Sequence, residues 1–138
     1  MRLSDPIPAL PVAAIDAALD HYTARFGFSV PHHDAGFAII NRDDVYLHLW
    51  AASDTAWRLR DPEDLKEQPV RTGAEDFIAG TASCRILVDE VDALYTELAA
   101  ADVLHPRDRG EPEDTDFGTR EFATLDLDGN LLTFYTWR

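Results

Sequence analysis

Two hydrophobic rhythms alternate along the chain, and their order repeats. In "AIDAALDHYTARFGF" the apolar positions Ile15, Ala18, Leu19, Tyr22 and Phe26 recur at helical spacing, and Gly27 follows as a helix-ending residue. The spacing predicts an amphipathic helix that stops there. In "DEVDALYTELAAA" Val91, Leu94, Tyr95 and Leu98 form a second stripe of the same period, behind an Asp89 placed to cap it. Around each helix the period changes to that of strands. "IPALPV" precedes the first helix and "SCRILV" the second. "FGFSV", "GFAIINRD" and "DVYLHLWA" follow the first helix; "TREFATLD" and "NLLTFYTW" follow the second, after a turn-rich acidic stretch. Asp34, Gly36, Asp43-Asp44 and Asp128-Gly129 supply the turns between them. Both halves read β-α-β-β-β.

Setting Ile15 on Val91 brings Ile7 onto Ser83, and setting "DDVYLHLW" on "DGNLLTFY" brings His48 onto Thr133. These matches imply an internal duplication with a period of about eighty residues. The expected organisation is one α+β domain of two modules, 5–54 and 82–138, joined by a long charged excursion over 55–81. A second loop, "HPRDRGEPEDTDFG", lies inside the second module. Loops of this length on a small scaffold often roof a ligand site.

Composition narrows the function classes. A chain of 138 residues with 46% apolar residues is long enough to bury a real core. Twenty-six acids against twelve bases give a net charge of −14, which repels phosphate backbones and favours cationic ligands. No nucleic-acid partner is expected; acidity as a plain solubility device is the competing reading. No apolar run is long enough to span a membrane, and "MRLSDPIPALPV" lacks the core of a signal peptide, so no membrane partner and a cytoplasmic location are expected. The lone Cys84 lacks a second cysteine for a disulfide or thiolate site and reads as a buried structural thiol. No Ser-His-Asp pattern, phosphate-cradling loop or dinucleotide fingerprint occurs. Of the histidines, His32 and His33 are neighbours on a strand and point to opposite faces, while His21 and His105 read as solvent-exposed.

The stretches "HYTARFGF", "NRDDVYLHLWA" and above all "FGTREFATLDLDGN" resemble the vicinal oxygen chelate superfamily, and within it the bleomycin resistance proteins. The resemblance implies a fold of two tandem β-α-β-β-β modules and a strand-swapped dimer. Enzymes of the superfamily hold a divalent metal with one residue from the first and last strand of each module, usually His, Glu, His and Glu. Here those positions fall on Ile7, His48, Ser83 and Thr133. Ile7 has no donor atom, and the hydroxyls of Ser83 and Thr133 are weak neutral donors, so only His48 is a good ligand. The expectation is no metal, no cofactor and no catalytic residue.

The resemblance then implies capture of a bleomycin-type glycopeptide in clefts at a homodimer interface, conferring resistance. Phe37 and Phe117 stand at the positions that stack on the drug, Trp50 adds a large ring, His32 falls where another aromatic can occur, and His48 completes the set of expected ligand-binding residues. Ordinary core packing is the competing reading for both phenylalanines. "EPEDTD" supplies carboxylates for a cationic tail. In "PIPALP" the implied crossing of the N-terminal strand to the partner falls near Pro8. Two alternatives stay open: a metal-dependent glyoxalase-like or dioxygenase-like enzyme using His48 with other ligands, and a binder of another small aromatic or cationic molecule.

Overall fold

The computed structural model describes residues 1–52, 63 and 78–138. Its elements run β1 (Ala9–Val12), α1 (Ile15–Phe26), β2 (Ser29–His33), β3 (Phe37–Arg42) and β4 (Val45–Ala51), then β5 (Ser83–Leu87), α2 (Val91–Ala100), β6 (Glu113–Asp114), β7 (Thr119–Leu125) and β8 (Leu131–Trp137). The excursion expected over 55–81 lies almost wholly outside the described residues. No helix among the described residues is long and apolar enough to cross a membrane.

The sequence order gives two four-stranded sheets of identical plan, β1-β4-β3-β2 and β5-β8-β7-β6. In each, the strand before the helix lies parallel to the last strand of its module, and the strands after the helix pair antiparallel. The mixed α+β fold of two repeated units is thus as the pattern predicts. Side-chain alternation then divides each sheet into two faces. Leu10, Val12, Ala38, Ile40, Leu47 and Leu49 bury one face of the first sheet with the α1 stripe, whereas Phe37, Ile39, His48 and Trp50 stay partly exposed on the other. In the second sheet Ile86, Phe122, Leu132 and Phe134 are the buried set.

Helix α1 buries all five residues of its predicted stripe and ends at Gly27, whose φ of 72° is the left-handed cap that glycine adopts without a steric penalty. Helix α2 begins differently from expectation. Its cap position is Glu90, one residue beyond Asp89, and no side chain bonds to the first turn. An ion pair from Asp92 to Arg120 (2.7 Å) ties that turn to β7 instead. Strand β1 starts only at Ala9, so Ile7 lies ahead of it and is 51% exposed. Pro6 and Pro8 have no N–H to offer a ladder, which explains the late start. His21 also departs from expectation: its ring packs against Tyr22 and Phe26, its Nε2 is buried without a hydrogen-bond partner, and burial lowers its pKa.

The two units are sewn together by polar groups at both ends of the seam. Fully buried Asn130 donates to Pro11 O (2.8 Å) and to Asp126 Oδ2 (2.8 Å), and its Oδ1 accepts Ala82 N–H (3.1 Å). Tyr22 of α1 donates its phenol to Asp126 Oδ2 (2.7 Å). Burial, followed by the Asp126 charge, pushes the Tyr22 phenol well above its usual range. At the other end Arg42 donates to Phe26 O (2.8 Å) and to Glu97 Oε2 (2.8 Å). Gly80, at φ +78°, passes so close to the Asp128 carbonyl that a Cβ would lie 2.0 Å from its oxygen. A glycine is required where the chain re-enters the second unit.

Candidate binding face

On the open face of the first sheet, antiparallel register sets Phe37 opposite Trp50 and Ile39 opposite His48, and sets His32 of β2 opposite Ile39. The rings follow. Phe37 lies 4.5 Å from Trp50, 5.0 Å from His48 in an edge-to-face arrangement, and 6.0 Å from His32. These are distances at which aromatic pairs attract. Asp34 fixes the backbone that delivers Phe37: its Oδ1 accepts the N–H groups of Gly36 (2.8 Å) and Phe37 (2.9 Å), a side-chain-built turn. Four of the five expected ligand-binding residues, His32, Phe37, His48 and Trp50, therefore form one cluster.

Phe117 stands elsewhere, at the rim of the second sheet, and is 60% exposed. Its loop is closed by Thr115: the N–H donates to Thr119 O (2.8 Å), and the Thr115 and Thr119 hydroxyls lie 2.8 Å apart. Beside it is Arg85, which composition and spacing did not single out. The Arg85 guanidinium sits 4.8 Å from the centroid of Tyr135 and 5.8 Å from that of Phe117. Both its Nη groups donate to Glu121, Nη1 to Oε1 at 3.3 Å and Nη2 to Oε2. Glu121 also accepts the Thr119 hydroxyl (2.8 Å), and the Arg85 hydrogen bonds hold its carboxyl below the usual carboxylate range. A polar pocket of about 200 Å³ adjoins this face, lined by His105, Arg109, Glu113, Glu121, Phe122 and Thr133.

Among the described residues, the donors on these strands do not fit the superfamily's metal. Strand register brings Ala9 beside His48 and Arg85 beside Thr133, each two residues beyond Ile7 and Ser83. Ala9 offers no donor, and Arg85 puts a permanent cation where a cation would have to bind. Among the described residues no group of three or more His, Cys, Asp or Glu side chains is placed to hold an ion. Behind the second sheet, burial pushes the Cys84 thiol up to about 11, so it stays protonated at neutral pH and acts as packing.

A cleft of about 530 Å³ lies at the seam between the units, lined by Phe28, Val45, Ile86, Leu94 and Phe134, but none of the clustered aromatic residues reaches it. The aromatic faces are open walls and the cleft is the exposed edge of the core, so the stacking geometry is the better guide to the site.

Two four-stranded sheets of repeated plan, each with aromatic side chains on its open face, define the scaffold. The chain belongs to the Glyoxalase/Bleomycin resistance protein/Dioxygenase superfamily, whose model matches residues 7–134. It is 44% identical over 129 residues to a bleomycin resistance protein of Geobacillus stearothermophilus, covering 94% of this chain and 93% of that one. The bleomycin-binding protein of Streptomyces verticillus, solved with copper(II)-bleomycin, superposes with a TM-score of 0.70 at 23% identity, over 100% of this chain and 99% of that one. A lactoylglutathione lyase of Agrobacterium tumefaciens superposes with a TM-score of 0.68 at 17% identity, over 98% and 95% of the two chains. At such identities the likeness is one of fold, which binders and enzymes share.

Proposed function

We propose that this protein is a binding protein and not an enzyme, and that it confers resistance by sequestering a bleomycin-type glycopeptide antibiotic. The observation that carries the reading is the aromatic cluster of Phe37, His48, Trp50 and His32, on the sheet face where a metal enzyme would need ligands. A flat heteroaromatic group gains about 0.5–1.5 kcal/mol per well-stacked ring beyond area burial. A cationic tail is attracted by the −14 charge, which speeds encounter and loses influence as salt rises. The relative at 44% identity is itself a bleomycin resistance protein, which favours this ligand over other aromatic cations.

Sequestration needs a closed cleft, because a micromolar constant requires about 8 kcal/mol. Each open sheet face is one wall, and in a homodimer the first-unit wall of one chain faces the second-unit wall of its partner. The N-terminus supports exchange: Leu3 is 91% exposed, and pairing within the chain begins where Pro8 O accepts His48 N–H (2.9 Å). Since β1 pairs with β4 of its own chain, the exchanged segment is the one before Pro8.

Calorimetric titration with copper-free bleomycin tests the reading. One drug is expected per chain, on a protein that sediments as a dimer. Absence of heat at micromolar protein, together with no protection of cells expressing it, would refute it. Phe117→Ala is expected to weaken binding about tenfold, or about 1.4 kcal/mol, with little change in the unfolding midpoint. A matching loss of stability would make Phe117 a packing residue.

A further inference from the structure

We infer that Arg85 is the positioning residue of the second-unit wall: clamped by Glu121, its guanidinium holds the exposed Phe117 ring in the orientation from which it stacks on ligand. The inference rests on the drug-binding reading and adds to it a residue on which the affinity depends.

Phe117 is a large ring with 60% of its surface in water, on a loop whose hydrogen bonds fix the backbone but not the ring. A free ring loses rotamer entropy when a ligand lands on it. Arg85 is the cationic contact to that ring among the described residues, at 5.8 Å, within the range of a cation–π attraction. The guanidinium is itself constrained. Glu121 grips two of its nitrogens, the Tyr135 ring lies 4.8 Å away on the same side of the sheet, and Thr119, where β7 leaves the Phe117 loop, steadies Glu121. The chain of restraint therefore starts at the end of the loop and returns to it: Thr119 to Glu121 to Arg85 to Phe117. A surface ion pair of this kind adds little stability by itself. Its geometry is better explained by what it orients. The side chain of Arg85 is 45% exposed, so this ion pair lies at the surface of the wall.

The test combines two readouts. With 4-fluorophenylalanine at position 117, Arg85→Met is expected to shift and narrow the fluorine resonance as the ring becomes mobile; an unchanged resonance overturns the inference. In titrations with copper-free bleomycin, Arg85→Met and Phe117→Ala are each expected to cost about tenfold in affinity, and the double variant no more than either alone. Additive losses, about a hundredfold in the double variant, would mean that the two residues act independently and would also overturn it. Arg85→Lys keeps charge and stem but cannot be gripped at two points, so it is expected to fall between wild type and Arg85→Met. If the wild type itself takes up no drug, the functional reading fails, while the fluorine experiment still decides whether Arg85 orients Phe117.

Discussion

Asn130→Ala is expected to lower stability by about 4 kcal/mol, which for a chain of this size is a fall of roughly 15 °C in the unfolding midpoint. Asn130 is fully buried and satisfies three separate groups, one of them Pro11 O in the first unit and another the Ala82 N–H at the start of the second. Alanine leaves the Ala82 N–H without its side-chain partner, at about 1–3 kcal/mol, strips Pro11 O of one of two donors, Gly80 N–H (3.1 Å) being the other, and removes a donor from Asp126. Asp126 must then satisfy its charge with the Tyr22 phenol and the N–H groups of Asp128 and Asn130 alone. Asn130→Asp should fare no better despite its shape, because it exchanges the donor facing Pro11 O for a carboxylate beside Asp126. Urea unfolding followed by fluorescence measures both. A loss below about 1 kcal/mol would show that the seam does not depend on this side chain.

Much of the architecture was legible because it depends on local pattern. The α1 stripe predicted all five buried residues, and Gly27 predicted the cap, since helical spacing and left-handed preference are properties of the segment itself. Strand limits were less legible. "FGFSV" contains Phe26 and Phe28, yet Phe26 is the last residue of α1 and Phe28 lies in the turn after it, both in the core, and the strand runs instead over Ser29–His33. Strand β6 left no signal: Glu113 and Asp114 are poor strand formers whose extended state exists because Glu121 and Arg120 pair with them. Asp89 had the right chemistry for a cap but stands one position early, and the tertiary pair of Asp92 with Arg120 made a side-chain cap unnecessary. His21 looked exposed between Asp20 and Tyr22, whereas its helix face turns it against Phe26.

The binding face divides along the same line. Phe37, His48 and Trp50 lie on two strands joined by a tight turn, so alternation alone sends them to one side. Arg85, Glu121 and Tyr135 come from β5, β7 and β8: the antiparallel β7–β8 hairpin sets Glu121 opposite Tyr135, and Arg85 joins them through the parallel β5–β8 register, which no local feature encodes. The available signal was a single arginine in the apolar run "SCRILV", in phase with the open face. The same registers move the residues flanking the expected ligand positions to Ala9 and Arg85, which makes the first wall aromatic and the second cationic-aromatic.

Phe37→Ala is expected to weaken bleomycin binding about thirtyfold, or about 2 kcal/mol, more than Phe117→Ala. Phe37 is the hub of its wall: its ring contacts those of His32, His48 and Trp50, whereas Phe117 has only Arg85 beside it among the described cationic and ring contacts. Removing the hub deletes one stacking surface and also frees Trp50 and His48 to leave the orientations in which they present theirs. Stability should fall by only about 1 kcal/mol, because Phe37 is partly exposed and on the open face, while its neighbour Ala38 is the one that packs the core. Calorimetry and urea unfolding on the same variant separate the effects, and Phe37→Trp, which restores a ring of comparable reach, should recover most of the affinity. If Phe37→Ala instead loses as much stability as affinity and Phe37→Trp recovers neither, the cluster is packing, and the first wall would have to bind through groups other than its rings.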